Sequence, residues 1–95
     1  MKTKTLATLK AEMLKNKGVR KAYDDLALEY AVARAVIQAR TRCGITQAQL
    51  AERMQTSQSY IARLENARVL PTMKTFQKVA EATGTRVKFE LEAVA

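Results

Sequence analysis

Adjacent carboxylates at Asp24 and Asp25, a single thiol at Cys43 and the absence of any imidazole are where a search for catalysis begins. Sequence neighbours on a helix point about 100° apart, so the two Asp make a poor acid–base dyad and read as a solvated helix boundary. Cys43 has no His to activate it and falls by spacing on an apolar helix face, where buried packing is favoured over nucleophilic attack. With no His and one Cys, the commonest metal ligand and any intramolecular disulfide are missing too. No enzyme activity, metal or cofactor is expected. What remains is charge: seventeen Lys plus Arg against nine Asp plus Glu, a net +8. Such an excess repels itself unless it meets a polyanion or an acidic partner, so nucleic acid comes first and an acidic protein surface second.

The elements that must position these groups fit into one domain, because 95 residues allow a single core. The composition, 47% hydrophobic and 27% charged, is that of a folding globular chain rather than a disordered or membrane one. Residues 1–34 carry +4, residues 35–70 carry +3 and residues 71–95 only +1, so the positive field sits in the first seventy residues. No run approaches the roughly 18 apolar residues needed to span a bilayer, and no apolar stretch of signal-peptide length follows the basic start. A cytoplasmic protein without membrane contact is expected, with Cys43 in a reducing compartment.

Gly18, Gly44, Pro71 and Gly84 punctuate the chain. Leu6, Leu9, Met13 and Leu14 recur at helical spacing before Gly18, with Thr5 as cap. Val19, Tyr23, Leu26 and Tyr30, then Ala33, Val36 and Ile37, predict a short helix near 19–26 and a longer one near 29–42, ended at Gly44. Thr46-Gln47-Ala48-Gln49 is a capping box that starts a helix carrying Leu50, Ala51 and Met54. A polar break at Gln55-Thr56-Ser57 leads to another helix, capped by Ser57, with Ile61 and Leu64 inward. Pro71-Thr72 opens a last helix, buried through Met73, Phe76, Val79 and Ala80 and closed by Gly84.

The run Ile45-Thr46-Gln47-Ala48-Gln49-Leu50-Ala51-Glu52-Arg53-Met54, then Thr56-Ser57-Gln58-Ser59-Tyr60-Ile61-Ala62-Arg63-Leu64-Glu65-Asn66, then Pro71 and the helix to Gly84, resembles the phage-repressor-like helix-turn-helix family of XRE type over roughly residues 32–84. The resemblance implies a second motif helix that enters the major groove of DNA with Gln58, Ser59, Tyr60 and Arg63. The chemistry agrees, since Gln can read adenine and Arg guanine with paired hydrogen bonds. It also implies phosphate contacts from Gln47, Ser57, Asn66 and Arg68, with Gln47 serving either as a cap or, through its backbone amide, as an anion donor. Arg40 and Glu65 stand where related repressors place a partly buried ion pair. Gln55 and Ala67 replace the Gly usual in the turn and after the recognition helix; a positive φ there would cost each roughly 1 kcal/mol.

Beyond Gly84 the period changes to two: Arg86, Lys88, Glu90 and Glu92 alternate with Val87, Phe89, Leu91 and Ala93, predicting a β-strand. A lone strand needs a partner. Antiparallel pairing of two copies about a twofold axis through Phe89 sets Lys88 against Glu90, Arg86 against Glu92 and Val87 against Leu91. A homodimer on a palindromic operator is therefore expected, with addition to a partner protein's sheet as the rival. The fold expected is all-α with a C-terminal β-strand: a helical extension at 1–28, a lambda-repressor-like helix-turn-helix bundle at 29–84 and a dimerisation strand at 85–95.

The segments Leu9-Lys10-Ala11-Glu12-Met13-Leu14 and Val19-Arg20-Lys21-Ala22-Tyr23-Asp24-Asp25-Leu26, with the terminal strand, also resemble antitoxins of HigA type. That resemblance implies a small ribonuclease toxin of RelE/HigB type as partner and repression of the shared operon. Leu6, Leu9, Met13, Leu14 and Tyr23 would anchor the toxin, or else enlarge the core. A prophage-type or stand-alone transcriptional regulator is the alternative function; from another class comes a protein-interaction module that binds no DNA.

Overall fold

The computed structural model describes Lys15 and residues 17–94, which form four helices: α1 Lys17–Cys43, α2 Gln47–Met54, α3 Gln58–Glu65 and α4 Met73–Thr83. The expected helix around Leu6–Leu14 lies outside the described residues. The two helices read at 19–26 and 29–42 are one continuous element of 27 residues. Nothing in Ala27-Leu28 stops a helix: both are strong formers, and neither a cap nor a Gly or Pro intervenes. Gly18 falls in the first turn, at the edge of the element rather than in a break between two.

Side-chain hydroxyls start the other three helices. Thr46 accepts from the Gln49 amide at 3.1 Å while Gln49 Oε1 accepts from the Thr46 amide at 2.8 Å, a complete capping box. Ser57 and Thr72 accept from the amides of Tyr60 and Thr75, each at 3.1 Å. The helices end alike, each followed by a left-handed residue: Gly44 (φ 75°), Gln55 (φ 56°), Ala67 (φ 57°) and Gly84 (φ 68°). After α3 the amides of Ala67 and Arg68 return to the carbonyls of Leu64 and Arg63 at 3.2 and 2.9 Å, the double closure of a Schellman turn. The two non-Gly residues hold this conformation against the clash of their Cβ atoms. Gln55→Gly and Ala67→Gly are each expected to raise stability by about 0.5–1 kcal/mol, or roughly 4 °C in melting temperature, read by thermal unfolding.

The core gathers Val36 of α1, Ile45 from the turn before α2, Leu50, Ala51 and Met54 of α2, Ile61 and Leu64 of α3, and Val79 of α4, with Tyr60, Val69, Phe76 and Ala82 packed on its margin. Full burial of side chains such as Leu50, Ile61 and Leu64 stabilises by about 1.5–3 kcal/mol each. α2 packs on α3 and α4, and α1 lies across α3 and α4. Only the second half of α1 takes part: Ala33 and Val36 are its buried residues, while Leu26, Leu28 and Tyr30 are about half exposed. Arg53 Nη1 ties α2 to the end of α4 through the Ala82 carbonyl at 2.8 Å.

Three expectations are corrected. Met73, read as part of the buried face of α4, is 56% exposed, because it is the first residue of the helix and lies beyond the core that Val79 and Ala80 enter. Cys43, read as buried, is exposed: it ends α1 just before the left-handed turn at Gly44, and its neighbour is the charged Arg53, whose Nη1 donates to Sγ at 3.5 Å. Residues 85–94 form no strand among the described residues. Among the described residues the alternating segment has no second strand to complete a hydrogen-bonded ladder, so extended residues alone do not make a sheet. Val87 is half-buried, whereas Phe89, Leu91 and Val94 are largely exposed.

Candidate nucleic-acid interface

α3 presents two opposed faces. At about 100° per residue, Gln58, Ser59 and Arg63 fall within one arc of about 140°, opposite Ile61 and Leu64. Ile61 and Leu64 are fully buried, while Gln58, Ser59 and Arg63 are exposed. Tyr60, half-buried, packs against the core and carries the Arg63 guanidinium 5.8 Å from its ring centroid. The ring holds the long Arg63 side chain over an apolar support, which lowers the entropy lost when its fork meets a partner. Ser57 caps α3 and its hydroxyl lies 3.2 Å from that of Ser59.

Arg40 fixes where this helix sits. Its Nε and Nη2 donate to Glu65 Oε2 and Oε1 at 2.7 and 2.9 Å, and its Nη1 donates to the Ile45 carbonyl at 3.0 Å. The side chains are 17% and 5% exposed, so this is a partly buried, two-pronged pair between α1 and the last turn of α3. The Glu65 hydrogen bond raises Arg40 above the usual guanidinium range, against the opposing effect of burial. Gln47 Nε2 also donates to Glu65 Oε1, at 3.2 Å. Sequence reading missed this third member; a Gln at the first position of a helix carries no sign of a distant carboxylate partner. The half-buried side chain of Gln47 is thus engaged by Glu65, which leaves its backbone amide as one of the free donors of a helix start. The same contact brings the start of α2 beside the end of α3, where Asn66 and Arg68 are exposed.

A family model described as helix-turn-helix matches residues 36–89, from the core residue Val36 to Phe89 of the tail. The chain belongs to that helix-turn-helix family, of XRE type. It is a DNA-binding transcription regulator with a lambda-repressor-like helical bundle. Comparison with curated proteins and with solved structures returned no significant match.

In this helix-turn-helix chain α2 and α3 are the motif, and the residues expected at bases and phosphates lie as follows. Gln58, Ser59, Arg63, Ser57, Asn66 and Arg68 are exposed, Tyr60 and Gln47 half-buried. Of the residues proposed as anchors for a protein partner, Leu6, Leu9, Met13 and Leu14 lie outside the described residues; Tyr23 is half-buried on the first half of α1, beside Leu26 and Tyr30. No His, Cys, Asp or Glu cluster suited to a metal occurs among the described residues, and no described helix is long and apolar enough to cross a membrane.

Proposed function

We propose that the chain is a sequence-specific repressor that binds a palindromic operator as a homodimer, and that it is the antitoxin of a type II pair, neutralising a small RelE/HigB-like ribonuclease toxin. The observation that carries the repressor reading is the outward arc of Gln58, Ser59 and Arg63 on a helix clamped by Arg40 and Glu65. A side chain reads a base only if its helix holds one tilt in the groove, and the clamp supplies that tilt. Gln58 would take adenine, Arg63 guanine, and Ser59 either; Ser57, Asn66, Arg68 and the Gln47 amide would hold phosphates. Gel shifts on the chain's own promoter test this, and no shift even at low salt would remove it.

The dimer reading is supported by the self-complementary tail, in which Val87, Lys88, Phe89, Glu90 and Leu91 of two copies pair with opposite charges facing. Lys88→Glu creates two like-charge crossings, one on each side of the axis, and is expected to weaken the dimer roughly tenfold or more. Lys88→Glu combined with Glu90→Lys restores the pairing. Light scattering across a dilution series reads both; equal masses for the single and double variants would exclude this register.

The antitoxin reading rests on the resemblance of residues 9–26 and the tail to HigA-type proteins. It is also supported by the first half of α1, where Leu26, Leu28 and Tyr30 are about half exposed ahead of the matched segment. Co-purification with the product of the adjacent gene tests it. Growth arrest by that product alone, relieved by this chain, is the expected outcome, and an adjacent product that neither binds nor arrests growth would count against it.

A further inference from the structure

The bundle leaves open an apolar groove between α1 and α4 that its own tail borders but does not fill. Ala35 and Ala39 of α1 and Phe76, Val79 and Ala80 of α4 floor it, and its cationic rim is Arg42, Arg86 and Lys88. Its volume, about 240 Å³, lies below the roughly 300–1,000 Å³ of small-molecule pockets and suits an inserted side chain instead. Val87 lies at its edge, half-buried, whereas Phe89 and Leu91, on the same side of an extended chain, are 70% and 88% exposed. Cross-strand partners share a face of the sheet. In the register centred on Phe89, Leu91 of a second copy comes opposite Val87 and so faces the bundle, while its Glu90 and Glu92 meet Lys88 and Arg86 of the rim.

The geometry points to this groove as the seat of Leu91 from a second copy of the chain, so that each bundle is completed by its partner's tail. The inference rests on the dimer proposed above and adds a place where that dimer touches the helices. It makes α1 and α4 part of the interface. The spacing of the two α3 helices then depends on how the tails sit against the bundles, since the same groove is floored by helices of the DNA-binding core.

Site-directed cross-linking of the full chain in a Cys43→Ser background separates the two ideas. Phe89→Cys places thiols at the twofold axis and is expected to cross-link to itself with a short bismaleimide. Leu91→Cys mixed with Ala35→Cys, or with Ala39→Cys, is expected to yield a cross-linked dimer that neither variant gives alone. If Phe89→Cys cross-links while both mixtures stay monomeric on denaturing gels, the tail pairs but the groove is not its seat. Failure of Phe89→Cys as well overturns the dimer and the groove together.

Discussion

Arg40→Ala is expected to lower the stability of the bundle by about 3 kcal/mol, the low end for breaking a buried ion pair, because Arg40 retains some contact with water. A domain of this size has only roughly 5–15 kcal/mol in total, so the melting temperature should fall by roughly 12–24 °C. The loss has two parts. The two-pronged bond to Glu65 and the bond to the Ile45 carbonyl disappear, and a carboxylate 5% exposed is left with Gln47 as its remaining hydrogen-bond donor. Glu65→Ala should cost less, since the freed guanidinium keeps the Ile45 carbonyl and can turn toward solvent. Urea unfolding with an unchanged m-value checks both, and equal losses would contradict the asymmetry. The effect should be flat from neutral to mildly alkaline pH: a group whose folded pKa is raised stabilises below its ordinary value and loses that contribution only as pH climbs through the raised one.

The motif was legible in the sequence because its signals are local. Thr46 with Gln49, Ser57 and Thr72 announce helix starts within four residues, and Leu50, Met54, Ile61 and Leu64 mark the inward faces at helical spacing. The positive φ at Gln55 and Ala67 could be anticipated, since the turn imposes it on whatever residue stands there. Features set by distant neighbours were harder to read. The exposure of Cys43 and Met73 depends on where the packed helices stop, which periodicity along one helix does not contain. The link from Gln47 to Glu65 spans eighteen positions and exists only once α2 and α3 have turned against each other. For α1, the apolar spacing runs on from Val19 to Ile37 and carries no boundary of its own, and a helix persists until something stops it. The tail differs in kind. Its alternation fits a strand, yet it is unpaired, because the described residues offer no second strand beside it.

Recognition itself gives the second large effect. Arg63→Ala and Gln58→Ala should each remove about 1–3 kcal/mol of discrimination per half-site, roughly 5- to 150-fold in operator affinity, while leaving binding to unrelated duplex nearly unchanged. On a twofold operator each substitution strikes both half-sites, so operator binding falls toward the nonspecific level. Tyr60→Phe keeps the ring beneath the Arg63 guanidinium and should retain that residue's preference; Tyr60→Ala removes the support and should resemble a partial loss of Arg63. Arg68→Ala is the contrast. Loss of a phosphate contact weakens binding to operator and unrelated DNA alike, and should reduce the salt dependence of binding by about one counterion per copy, or two per dimer. Titrations against operator and scrambled duplex at several salt concentrations separate the classes. If Arg63→Ala lowered both affinities equally with a shallower salt slope, Arg63 would be gripping a phosphate, and base reading would fall to Gln58 and Ser59, the other exposed side chains of the same arc.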